Sequence, residues 1–170
     1  MRNVILPIGA AMMALGLAAP VQALTQHRIN AAAACLFQVH LALVEAPGIR
    51  RPEEPLPVYF GRLLALQPGE KPAVRHARVA AYLALLDQAA ARTIGLRKLP
   101  SLQTASAPNR ALWQQIDLNL HDMPAAAAKA RTEWAREETK PGAPSETAKI
   151  FTQTIWHIQN AYAALRDALP

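Results

Sequence analysis

Apolar residues recur every three to four positions through most of this chain. From Thr25 to Glu45 the stripe is Ile29, Ala32, Leu36, Val39 and Leu43, the spacing that lines up side chains on one face of an α-helix. The segment Val58 to Gln67 predicts a short helix carrying Tyr59, Phe60, Leu63, Leu64 and Leu66. A longer helix is expected from Pro72 to near Gly95, with Val79, Tyr82, Leu83, Leu86 and Ala90 on one side. The next begins near Pro108 and carries Leu112, Trp113, Ile116 and Leu120. Asp122 and Pro124 then read as a cap and a first-turn proline, so a kink or a new helix starts there and continues to about Glu138. The last helix is expected to start at Ser145 as N-cap, with Glu146 in the first turn and Phe151, Ile155, Ile158, Tyr162, Leu165 and Leu169 facing inward.

The breaks between these patterns have their own chemistry. Pro47-Gly48, Pro68-Gly69 and Pro141-Gly142 each end a helical pattern, and Pro52, Pro72 and Pro144 follow within a few residues. Glycine suits the left-handed residue after a helix, and proline suits the first turn of the next. Ile49 to Pro57 and Leu96 to Ala107 are expected to be loops. No stretch alternates apolar and polar residues long enough to predict a strand. The fold expected is all-α: an antiparallel helical bundle of about four long helices, one of them interrupted, plus a short helix. Alanine runs at 31–34 and 125–128 would let helices approach closely.

The start of the chain follows a different pattern. Arg2 is followed by an uncharged stretch from Val4 to Ala19, then Pro20 and Val21-Gln22-Ala23. An apolar core of about 12–15 residues before small residues is the pattern of a secretory signal peptide, and it is shorter than the roughly 20 residues of a spanning helix. We therefore expect residues 1–23 to be a cleaved leader and residues 24–170 a single helical domain outside the cytoplasm, in the periplasm, with no transmembrane span after cleavage. An uncleaved N-terminal anchor is the alternative. Cys35, the only cysteine, rules out an internal disulfide, and its place in an Ala/Leu-rich helical pattern predicts burial.

Charge and motifs narrow the function less than the fold. The formal net charge is +6, and the cations are scattered in pairs such as Arg50-Arg51 and Arg97-Lys98. Export argues against a nucleic-acid partner, and an acidic envelope protein is the partner such pairs would suit. There is no Cys-x-x-Cys-His for covalent haem, no Cys-x-x-Cys, no glycine-rich phosphate loop, no His-Glu-x-x-His and no Gly-x-Ser-x-Gly. Asp117 and His121 are four residues apart and share a helix face, so they are the candidate metal ligands. His157 and Met123 are the residues a noncovalent haem would use. Glu133 and Glu137, also four apart, read as a solvated face among Lys129 and Arg136. Trp113, Trp134 and Trp156 read as core anchors, with one able to line a groove. No nucleophile–base pairing is visible, so no catalytic residue is assigned and a small periplasmic enzyme is the weakest reading. The function expected is an exported binding or accessory protein of the bacterial envelope that contacts its partner through Arg50, Arg51, Arg97 and Lys98. The alternative is a haem- or metal-binding bundle.

Overall fold

A computed structural model of the chain describes residues 11–45, 53–97, 107–140 and 144–167, with residues 11–25 and 107–109 as backbone only. Among these residues there are six helices: α1 (Ala11–Glu45), α2 (Leu56–Leu64), α3 (Pro72–Arg97), α4 (Ala107–Leu120), α5 (Met123–Glu137) and α6 (Ser145–Asp167). None of the described residues is in a strand. No helix among them is long and apolar enough to cross a membrane.

The helix ends differ from the expected ones where a proline or glycine carries more than one meaning. Helix α2 starts at Leu56 rather than Val58, because Pro57 sits in its first turn, where a missing N–H costs nothing. It ends at Leu64, so Leu66 falls outside it and is exposed. The Pro68-Gly69 pair forms a separate tight turn: Glu70 N–H donates to the Gln67 carbonyl at 3.0 Å, and Gly69 has φ +76. Proline followed by a glycine of positive φ is the type II pattern. Helix α3 runs through Gly95 to Arg97, and α4 begins at Ala107, so both ends of the second expected loop are helical. Asp122 occupies the N-cap position of α5 but makes no side-chain capping bond.

Side-chain contacts fix the topology. Phe37 lies against Tyr162 with ring centroids 5.7 Å apart, and His40 meets Gln159 at 3.0 Å, so α1 and α6 run antiparallel. His157 near Asn119 and Lys129 near Glu146 set α4 and α5 antiparallel to α6 as two halves of one corner. Arg97 with Asp117 and Arg75 with Glu138 set α3 antiparallel to that corner. Carrying the α1–α6 register to Glu45 ends α1 level with Thr154, while α6 and α3 continue past it. Helix α2 fills the corner that α1 leaves. Its Phe60 ring meets Tyr82 of α3 at 5.6 Å and Phe151 of α6 at 5.4 Å, and Tyr82 and Phe151 are 4.6 Å apart. The architecture is a four-cornered antiparallel bundle in which two corners, α1/α2 and α4/α5, are each made of two helices.

The expected stripes are the core. Ile29, Ala32, Leu36, Val39 and Leu43 are buried, as are Val79, Tyr82, Leu83, Leu86 and Ala90. So are Trp113, Ile116, Leu120, Phe151, Ile155, Ile158 and Leu165; Leu112 and Tyr162 are partly buried against them. Cys35 is also only partly buried against this core. Leu169 lies outside the described residues. Ile158 has no exposed surface, so Ile158→Ala is expected to destabilise the protein by about 2–5 kcal/mol through lost burial and a residual cavity. Asn160→Ala, two positions on and exposed, should change the urea midpoint little. Equal shifts would show that the face is misassigned.

Arg78 ties α2 to α3. Its guanidinium donates to the Leu63 carbonyl at 3.0 Å and the Ala65 carbonyl at 2.9 Å, and pairs with Glu70. These carbonyls end α2 and have no intrahelical partner, so one arginine caps the helix and anchors it. Glu70 also accepts the Gln67 N–H at 2.9 Å. That backbone bond outweighs its desolvation and, together with Arg78, holds the Glu70 carboxyl below its usual range.

Candidate functional site

The residues singled out by sequence are placed differently from one another. Arg50, Arg51 and Lys98 lie outside the described residues. Arg97 is the last residue of α3 rather than a loop residue. Its Nε donates to Asp117 Oδ1 at 2.5 Å, and its Nη2 lies 2.8 Å from His121 Nδ1. For that second bond the imidazole Nδ1 must accept, which places the ring proton on Nε2. Asp117 and His121 do share a face, as their spacing requires, but the cation between them is the Arg97 guanidinium. A metal ion would have to displace it, and an acidic partner would have to compete with Asp117 for it. The pair is a bridge between the ends of α3 and α4.

Glu133 and Glu137 also separate. Glu133, its side chain largely covered, pairs with the exposed Arg136 at 3.2 Å. Glu137 instead caps α6. Its carboxylate accepts the N–H groups of Glu146 and Thr147 at 3.0 Å each and the Thr147 hydroxyl at 2.7 Å. Burial pushes this carboxyl up, but the accepted hydrogen bonds outweigh it and hold it below the ordinary range. The first-turn N–H groups of α6 are therefore satisfied from α5, where Ser145 was expected to cap. Nothing in the spacing of Glu137 reveals this, because its target lies across a chain reversal.

The concave surface lies on either side of α6. Along this helix Lys149, Gln153 and Trp156 form one strip, at i, i+4 and i+7. On one side the strip faces α2, where Pro57 and Gly61 form the opposite wall of a groove of about 380 Å³. Pro144, Ser145, Ala148 and Thr152 are the other lining residues, and among the described residues Lys149 is the only charged one in it. Trp156 is 51% exposed, and Val58 on α2 is 56% exposed. Of these two exposed apolar side chains, Trp156 lines the groove itself. On the other side of Gln153 is a second hollow of about 280 Å³ at the break between α4 and α5. It brings together the two haem-ligand candidates, His157 and Met123, with Asn119, Asp122 and Lys129. Met123 is buried, while His157 is exposed and lies 3.4 Å from Asn119. Among the described residues no three of His, Cys, Asp and Glu gather into a metal-ligating group.

Of the three tryptophans, Trp113 and Trp134 are buried and Trp156 lines the groove. Trp134 carries the Arg75 guanidinium over its ring at 5.4 Å, a cation–π contact that helps hold α3 to α5. The strip on α6 was readable as the polar side of an amphipathic helix with one tryptophan out of place. The opposite wall was not, because it depends on where α2 docks.

The chain matches no known protein family, no curated protein and no solved structure.

Proposed function

We propose that this protein is an exported helical binding or accessory protein of the bacterial cell envelope, and that its binding face is the outer strip of α6 with the grooves beside it. The observation that carries this reading is the α2–α6 groove, an apolar channel with a half-exposed tryptophan at its wall. Its volume lies within the roughly 300–1,000 Å³ of small-ligand and anchor-residue pockets. Indole at such a place supplies large contact area at low cost in side-chain entropy. Export rests on the leader pattern of residues 1–23, and the mature chain then begins at Leu24 in the periplasm. The first buried residue of α1 among the side chains described is Ile29, so this reading removes none of the described core. Arg50, Arg51 and Lys98, in the connections before α2 and after α3, add positive charge that favours a partner bearing acidic groups.

A photo-cross-linking residue at Trp156 tests the assignment of the face. In intact envelopes it should give adducts that the same residue at Arg136, exposed on α5, does not. Identical adduct patterns at both positions would remove α6 as the binding face. N-terminal sequencing of the periplasmic protein is expected to start at Leu24, and recovery only with Met1 intact in the membrane fraction would favour the anchor.

A further inference from the structure

The chemistry of the α2–α6 groove narrows what enters it. Its α2 wall is Pro57 and Gly61, and its α6 wall is Ala148, Thr152 and Trp156. The Thr152 hydroxyl proton is committed to the Ala148 carbonyl at 2.8 Å, so that side chain brings the groove no free donor. A Cβ built on Gly61 would meet nothing within 4 Å, so the space beside α2 is open at this position. Among the described residues the remaining polarity lies along one edge, in Ser145, Lys149 and Gln153. Lys149 is the only charged one of the described residues lining the groove, and none of them brings a carboxylate to it. The Lys149 ammonium has a partner, Glu146 at 3.1 Å, but both side chains are substantially exposed, at 66% and 40%. Such i,i+3 surface pairs contribute little, and exchanging one carboxylate for another at the ammonium changes little else. Lys149 and Trp156 are separated by about 10 Å along the helix axis at 1.5 Å per residue.

We propose that this groove binds a small amphipathic carboxylate, with its apolar chain between α2 and α6 along Trp156 and its carboxylate at Lys149. This deepens the reading above and rests on it only in taking the groove as a binding site. A neutral chain of the same length would gain the apolar contacts and lose the charge-assisted hydrogen bond. A cationic head group would meet Lys149 as a like charge. A chain much longer than the interval from Lys149 to Trp156 would leave the groove and enter water.

Calorimetric titration of the purified protein with decanoate, decanol and decylammonium tests this. Tryptophan fluorescence, taken as the difference from Trp156→Phe, reports on Trp156 in parallel, since Trp113 and Trp134 also emit. Decanoate is expected to bind saturably at one site, decanol at least about tenfold more weakly, and decylammonium not measurably; tenfold corresponds to about 1.4 kcal/mol. Gly61→Leu should weaken decanoate at least about tenfold by filling the groove. Lys149→Gln should remove the preference for decanoate over decanol while leaving decanol binding unchanged. The melting temperature of each variant checks that it folds. Should Gly61→Leu not fold, Lys149→Gln still decides, since its side chain lies on the surface. The proposal is overturned if decanoate shows no saturable binding, if folded Gly61→Leu binds it like the wild type, or if decanol binds equally well. Loss of the Trp156 adducts in Gly61→Leu without any decanoate binding would sink the carboxylate and leave the binding face standing. Neither effect would remove both.

Discussion

Phe60→Ala is expected to lower the stability of the protein by about 3–5 kcal/mol. Phe60 is fully buried and is the residue through which α2 reaches the centre of the bundle. Its ring touches Tyr59, Tyr82 and Phe151 at centroid distances of 5.0, 5.6 and 5.4 Å, with the Phe151 contact edge-on. Two losses combine on truncation: the buried area of the ring and the edge-to-face contact with Phe151, a kind of pair that adds about 0.5–1.5 kcal/mol beyond area. The hole left behind cannot close easily, because α3 and α6 are held apart by the rest of the core. Val58→Ala, on the exposed face of the same helix, is the matched control and should lie within about 0.5 kcal/mol of wild type. Urea unfolding followed by circular dichroism measures both. A Phe60→Ala loss under 1 kcal/mol would mean that α2 is not integral to the core.

The second large effect is electrostatic and depends on pH. Glu137→Gln removes the charge that accepts three hydrogen bonds at the start of α6. Hydrogen bonds to a charged group contribute about 1.5–3 kcal/mol, and a lost cap typically costs about 1. A net loss of about 2 kcal/mol at pH 7 is expected, since the amide can still accept one or two of the bonds. The sign with pH follows from the direction of the shift. The folded-state carboxyl is held below its ordinary value, so its contribution is complete above the unfolded pKa of about 4.3. It is lost as pH falls through the lower folded value. The difference between wild type and Glu137→Gln should therefore be constant from pH 8 to about 5.5 and shrink below about 4.3. A difference that grows on acidification would contradict the cap. Glu70, held low through Gln67 and Arg78, should add to the acid sensitivity of both proteins equally.

The apolar period is a local property of this chain, which is why its helices could be read directly. Ile29 to Leu43 and Phe151 to Leu165 recur at the helical period, and burying those stripes against one another leaves an antiparallel bundle as the simplest solution. The pairing of side chains between helices was not local. The spacing of Asp117 and His121 put them on one face but gave no sign that Arg97, twenty residues earlier, would lie between them. Glu137 read as part of a solvated face and instead caps a helix beyond the next turn. The groove was half legible: Lys149, Gln153 and Trp156 lie on one strip by spacing alone, whereas Pro57 and Gly61 become its other wall only because α1 stops at Glu45. Proline and glycine gave the positions of the breaks to within a few residues. Their ambiguity between cap, first turn and tight turn accounts for the shifts at Leu56, Leu64 and Arg97.

A corner shared by α1 and α2 has a mechanical consequence. Proteins open in cooperative pieces, and the piece with the fewest buried contacts opens at the lowest free energy. Helix α2 spans nine residues; its five buried side chains and the Arg78 tie hold it to helices that remain packed with one another when it leaves. As the shortest of the described helices, it is the one whose local opening would leave the longer helices α1, α3 and α6 in place. Because α2 is also one wall of the groove, local opening of this piece widens the groove. If the groove binds as proposed, Phe60 and Arg78 would govern access to it, and a ligand seated against Pro57 and Gly61 would slow the same fluctuation that admitted it.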